Sequence, residues 1–199
     1  MNAVGHRSLP VEDKRELLLD AAERVFCRNG YAGTTMAALA AEAGVTRPTV
    51  YAYFASKDEV FAALAARVQR ELLELQEHAD VSTPDDTIVS TLTAFLDAYT
   101  RHRGVLTVIA HQALDDPSIR LLQNDIGAQA NRRHTRFIAR LAESGAARPA
   151  IAPAMVAETI TGIVMRFAEL AAADPSRQPE LTESLIEAYR RLVGLPDRG

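Results

Sequence analysis

At 199 residues the chain is long enough for one or two small domains with a buried core, and 48% hydrophobic against 24% charged residues is a composition that excludes disorder. Aromatics at 6% and the lack of Trp leave Ala, Leu, Val and Ile to fill that core, which suits helices rather than a β-sandwich. A net charge of −4 argues against a uniformly basic nucleic-acid binder.

The acidity is uneven. Up to Lys57, seven Lys and Arg stand against six Asp and Glu; beyond it, fifteen stand against twenty. A small head can therefore still meet phosphate if its few cations share one face, because local potential decides the encounter. The opening MNAVGHRSLPVEDKRE has no apolar h-region, and no apolar run reaches the ~18 residues of a membrane span. The expectation is a soluble, cytoplasmic protein with no membrane partner. Cys27, the single cysteine, permits no internal disulfide and predicts a reducing compartment. It reads as a small apolar filler beside Phe26; a redox switch is the alternative, with no second thiol to support it.

In chain order, Leu17, Leu18, Ala21, Ala22, Val25 and Phe26 follow helical spacing, with Glu12 and Asp13 at the favoured N-terminal end. Pro10 fits the start and Gly30 the stop, so a first helix is predicted over 11–29. A second, short helix runs through MAALAAEA to Gly44, capped by Thr34 or Thr35. Thr46 caps a third that contains Pro48 in its first turn and extends to about Phe54. Ser56-x-x-Glu59 is a capping box that opens a fourth, with Val60, Leu64, Val68, Leu72 and Leu75 along one stripe. Breakers follow at VSTPDD (81–86), weakly at HRG (102–104), at DDPS (115–118), ESGAARPAIAP (143–153) and ADPSRQPE (173–180). No period-two strand pattern survives. The expected fold is all-α, three short helices and then six or so longer ones.

The second and third helices make a pair packed at a steep angle about Gly44, with Ala40, Ala41 and Ala43 permitting close approach. A nine-residue third helix is ~13 Å long and enters a major groove ~12 Å wide by its N-terminal end. Thr46, Arg47 and Thr49 stand at that end, where backbone N–H groups and the helix dipole also favour phosphate. Arg47 can pair bidentately with guanine, and a Thr methyl can touch a thymine methyl. Tyr51 and Tyr53 reach phosphates with their hydroxyls, and Lys57 adds a cation on the same side. Val50 and Phe54, four apart, are core.

The run from about residue 12 to 61, with RVFCRNGYAGTTMAALAAEAGVTRPTVYAYFASKDEVF at its heart, resembles the DNA-binding domain of the TetR/AcrR family of bacterial transcriptional regulators. The matched features are the F-x-x-x-G-Y-x-x-T-T entry, A-x-x-A-G-V-T, T-V-Y-x-Y-F and S-K-D. The resemblance implies an N-terminal three-helix helix-turn-helix domain, residues 1–57, joined by a linking helix to a helical effector-binding and dimerisation domain within 58–199. It implies a homodimer on double-stranded, pseudo-palindromic operator DNA, acting as a repressor released by a small-molecule effector. Carried over residue by residue, the DNA contacts are Thr35, Thr46, Arg47, Thr49, Tyr51, Tyr53 and Lys57. Pro48 departs from the Gly, Ala or Ser of many members, which bears on base preference.

By the same analogy the helices at 153–172 and 179–193 form the dimer surface. Ala154, Ala157, Thr161 and Gly162 supply small residues, and Leu181, Leu185, Ile186, Tyr189 and Leu192 an apolar stripe; the other reading is that both stripes close the monomer's own core. Candidate effector-binding residues are Phe95, Tyr99, His111, Gln112, Phe137, Met165, Arg166 and Glu169, although Arg166 and Glu169, spaced i, i+3, also read as a solvated pair. No P-loop, GxGxxG, HExxH or GxSxG is present, so neither enzyme nor cofactor is expected. A metal pair of His111 and Asp115, joined by His102 or His134 if the fold brings them near, and a ligand-binding module without DNA contact are the rival readings.

Overall fold

The structure, a computed structural model, describes residues 10–75 and 83–195, without the side chains of Pro84 and Ile126. Among these residues there is no strand. The helices are α1 (Val11–Gly33), α2 (Met36–Glu42), α3 (Arg47–Tyr51), α4 (Lys57–Glu74), α5 (Pro84–Gln112), α6 (Pro117–Glu143), α7 (Pro153–Ala173) and α8 (Gln178–Val193), with a 3-10 turn at Pro175–Arg177. They fall into two compact units: one runs to Val68 and takes in Gly104–Leu122, the other is Gln69–Arg103 with the chain from Gln123 on.

In the first unit α1 buries Leu18, Leu19, Ala21, Ala22, Val25 and Phe26, close to the expected stripe. Its regular φ/ψ breaks at Gly30 (φ 67°), and Tyr31–Gly33 continue as a further turn. Thr34, itself buried, donates its hydroxyl to the Gly30 carbonyl at 2.7 Å. Thr35 is the cap of α2, its Oγ1 accepting from Ala38 N–H at 3.1 Å. Of the three alanines expected to admit close packing, Ala40 and Ala43 are buried, whereas Ala41 is exposed. The third helix is shorter than predicted: five residues, then a tightening turn in which Tyr53 and Phe54 N–H both donate to the Val50 carbonyl. Glu59 N–H donates to Ser56 Oγ as a capping box requires, but the Glu59 carboxylate reaches one residue further back, to Ala55 N–H.

Two expectations fail here. Cys27 is exposed, not a core filler. The break at HRG does not occur, and α5 runs through it. At Gly104 a Cβ would stand 2.5 Å from Cys27 Sγ, so the glycine lies where α1 passes too close for a side chain. Alanine favours a helix interior over glycine by ~1 kcal/mol, yet Gly104→Ala is expected to lower stability by about 1 kcal/mol through this overlap. Adding Cys27→Ala should reverse the sign. Urea unfolding of the two single variants and the double variant checks it; additive effects would refute the contact.

Thr83, in the second unit, caps α5, and Asp116, in the first, caps α6, accepting from Ser118 N–H at 2.8 Å. Residues 81–82 of the expected breaker lie outside the described residues. Beyond the third helix, the longer helices are five among the described residues, not six, since α5 is uninterrupted. Of the α8 stripe, Leu181, Leu185 and Tyr189 are buried, with Val193, in the second unit's own core beside Val156, Ala157, Ile160 and Val164 of α7, while Ile186 and Leu192 are half-buried. The opposite face of α7 remains uncovered, with Met155 and Met165 about half exposed and open space above Gly162.

Candidate DNA-binding face and ligand cavity

The first unit places the expected contact residues around one short capped helix. Thr46 Oγ1 accepts from Thr49 N–H at 3.4 Å, and the two hydroxyls stand 2.9 Å apart, so they fix the start of α3 as well as facing out from it. Arg47 and Pro48 follow, both exposed. Arg47 has no hydrogen bond or ion pair with any described residue, which leaves all five of its donors for an outside acceptor. Tyr51 is 48% exposed and Tyr53 half-buried. Val50 and Phe54 are buried beneath them as predicted.

Lys57, expected to add a cation to this side, also has partners within the chain. Its Nζ donates to the Tyr31 carbonyl at 3.0 Å and lies 4.3 Å from the centre of the Tyr31 ring. Tyr31 in turn donates its hydroxyl to Asp58 and packs edge-on against Phe61, 5.0 Å between centroids. Burial, then that hydrogen bond, push the Tyr31 phenol well above its ordinary range. Lys57 thus fastens the start of α4 to the turn after α1. Residues the sequence reading passed over support the face from behind. Glu42, at the end of α2, accepts from Arg24 Nε at 2.6 Å and from Arg28, while Arg67 of α4 gathers Glu16, Asp20 and Glu23 of α1 at 2.6–3.3 Å. Acidic and basic residues fourteen or more apart on separate helices leave no local spacing signal, so only the fold reveals these ties.

The second unit encloses a cavity of about 380 Å³. Of the eight candidates, Phe95 and Tyr99 of α5 and Phe137 of α6 line it. The other five candidates do not. His111 is exposed and Gln112 half-buried in the first unit; Met165, Arg166 and Glu169 lie on the exposed face of α7, where Arg166 and Glu169 form a solvated pair at 2.7 Å. From α7 it is Ile160, Thr161 and Val164 that face the cavity. Ile88 and Leu92 add to its apolar wall, and Thr87 and Thr91 to its polar part.

Two hydrogen-bonded pairs mark the interior. Thr161 donates to Asn131 Oδ1 at 2.8 Å. His134 Nε2 and the Tyr189 hydroxyl are 2.8 Å apart, their rings stacked at 5.3 Å. Burial pushes His134 down to about 4 and the Tyr189 phenol up, so both are neutral at pH 7. The arrangement supplies an apolar chamber with a few placed polar groups, the usual make-up of a small-molecule site. The conditional metal cluster does not assemble: His102, buried, meets Glu71 at 2.8 Å, and His134 meets Tyr189. No group of three potential metal-ligating side chains occurs among the described residues, and no described helix is long and apolar enough to cross a membrane.

Residues 18–64 match the family model of bacterial regulatory proteins, tetR family, a span that contains every expected DNA contact. The HTH-type nicotine-responsive transcriptional repressor HdnoR of Paenarthrobacter nicotinovorans is 28% identical, across 92% of this chain and 97% of its own. The HTH-type transcriptional repressor SCO4008 of Streptomyces coelicolor is 25% identical, across 92% and 96%. A crystal structure of a tetR-family bacterial regulatory protein from Rhodococcus RHA1 shares the fold, with a TM-score of 0.78 at 22% identity over 92% of this chain and 98% of that one.

Proposed function

Since the chain belongs to the TetR/AcrR family of DNA-binding bacterial transcriptional regulators, which are not enzymes, we propose that it is a cytoplasmic homodimeric repressor, released from a pseudo-palindromic operator when a small molecule enters the cavity of the second unit. The observation that carries the DNA contact is Arg47: exposed, unpaired among the described residues, and set at the capped start of α3 beside Thr46 and Thr49. Thr35, Tyr51 and Tyr53 complete the contact surface. Lys57 contributes through the turn it holds as much as through its charge. Functionally the head ends near residue 57 and the effector-binding and dimerisation body is 58–199.

With Leu181, Leu185 and Tyr189 engaged in the core, the second copy packs against the uncovered stripe of α7, where Met155, Gly162 and Met165 recur at helical spacing. Effector binding acts by population shift, favouring dimers whose heads no longer match half-sites one turn, ~34 Å, apart. Phe95, Tyr99 and Phe137 contact the effector. The identity of the effector does not carry over from the nicotine-responsive relative, because pocket residues decide it and fold does not.

The test is retardation of a duplex from upstream of the protein's own reading frame, with affinity falling steeply as salt rises. Arg47→Ala should cost about 1–3 kcal/mol and relax preference at one base pair, whereas Lys57→Ala should weaken all sequences alike. Operator affinity untouched by both changes would remove α3 from the interface.

A further inference from the structure

We propose that the ligand of this cavity is an organic anion, an uncharged apolar body bearing one acid group that Arg136 and Arg140 receive, and that organic cations are refused. The inference rests on the reading of the cavity as the effector site and adds the chemical class. It starts from a charge imbalance. Three arginines of α6, Arg133, Arg136 and Arg140, line the cavity, and among the described residues no Asp or Glu does. Their spacing of three and four residues puts them along one face of the helix, together with Phe137.

They are not consumed by internal partners to the same degree. Arg133 donates to the Leu73 carbonyl at 3.4 Å. Arg136 uses Nε on the Arg132 carbonyl of its own helix, at 3.2 Å, which leaves its two terminal nitrogens. The Arg140 side chain has no hydrogen bond or ion pair among the described residues. Arg136 and Arg140 line the cavity and yet are exposed, so they stand where it meets solvent. The remainder of the lining is neutral. Polar groups within it pair with one another, Asn131 with Thr161 and His134 with Tyr189, and the walls between them are Ile88, Leu92, Phe95 and Val164.

A ligand that fits this division has its apolar part inside and its charge at the mouth. Guanidinium groups present paired donors that match a carboxylate, and like charges beside a low-dielectric wall focus potential toward the opening. An ammonium at the same place meets Arg136 and Arg140 and, among the described residues that line the cavity, no carboxylate. The cavity volume, about 380 Å³, is near the lower end of the ~300–1,000 Å³ of small-molecule pockets and admits one compact acid.

Decanoate, 1-decanol and decylammonium share one apolar chain and differ in head charge. Calorimetric titration of the full chain near pH 7, below the aggregation limit of each probe, should give decanoate roughly tenfold tighter than decanol, with decylammonium weakest. Added salt should shrink the gap. In the Arg136→Gln/Arg140→Gln chain, decanoate should fall to the level of decanol while decanol is unchanged, which also shows that the cavity is intact. Decylammonium binding as well as decanoate, a preference that survives the double substitution, or no binding of any probe overturns the proposal. Release of the operator duplex is read in parallel. If decanoate is preferred but does not release DNA, the effector assignment falls and the anion selectivity stands. If decanol and decanoate release DNA equally, the assignment stands and the anion selectivity falls.

Discussion

Gly194→Ala is expected to destabilise the second unit by about 3–4 kcal/mol, whereas Gly145→Ala should cost only about 1 kcal/mol. Both glycines sit at positive φ, 66° and 75°, and both follow the end of a helix. Any L side chain pays for that conformation, by ~1–2 kcal/mol. They differ in what surrounds them. Nothing lies within 4 Å of a Cβ at Gly145, but a Cβ at Gly194 would be 2.0 Å from the Arg148 carbonyl oxygen and 2.8 Å from its carbon.

That carbonyl cannot move aside cheaply. Arg148 N–H donates to the Gly194 carbonyl at 3.0 Å and Ala150 N–H to the Leu192 carbonyl at 2.9 Å, so the loop after α6 is laced onto the end of α8. On the helix side, Gly194 and Leu195 N–H both donate to the Arg190 carbonyl, closing the left-handed cap. Room for a methyl group means giving up at least one bond of the lacing, on top of the conformational cost. Arg190 itself is bidentate to Asp85 of α5, so the disturbance reaches a third helix. Denaturant unfolding of the two variants separates the contributions: equal losses at the two positions would show that φ alone matters and that the contact with Arg148 does not. Gly194→Asn is a further control, since Asn tolerates positive φ but carries the same Cβ, and it should be nearly as damaging as alanine.

Such tertiary contacts divide what the sequence discloses from what it conceals. The helix-turn-helix was legible because its determinants are local: Thr35 and Thr46 cap at the helices they precede, and Gly44 turns the chain between α2 and α3 with a φ of 65°. The core stripe of α4, Val60, Leu64, Val68 and Leu72, is one period repeated. The cavity was not legible, because the inward side of a long helix is decided by its neighbours. On α7 the expected residues are Met165, Arg166 and Glu169, whereas packing turns Ile160, Thr161 and Val164 inward, and on a helix each residue of offset rotates the side chain by ~100°. His134 and Tyr189 were both noticed, one as a conditional metal ligand and the other as part of an apolar stripe. Fifty-five residues separate them, and only their 2.8 Å contact joins them.

That contact yields the second large effect, on pH. His134 titrates near 6.5 when exposed and is pushed down to about 4 by burial against Tyr189. Between these values the unfolded chain binds a proton that the folded chain does not. Stability from this residue is therefore full above pH ~6.5 and is lost as the pH falls toward ~4, by as much as about 3 kcal/mol. The groups facing the ring do not offset the loss, since the Tyr189 phenol stays neutral throughout and the charged residues lining the same cavity, Arg133, Arg136 and Arg140, are cations. His134→Gln keeps a side chain able to bond the Tyr189 hydroxyl but removes the titration. Between pH ~7 and ~4.5 the parent chain should lose about 2–3 kcal/mol more than this variant, measured by urea unfolding at each pH. Parallel profiles would mean that His134 accepts its proton in the folded state. The interior of the cavity would then carry positive charge in mild acid, and an acid group would be drawn inward past Arg140, away from the mouth.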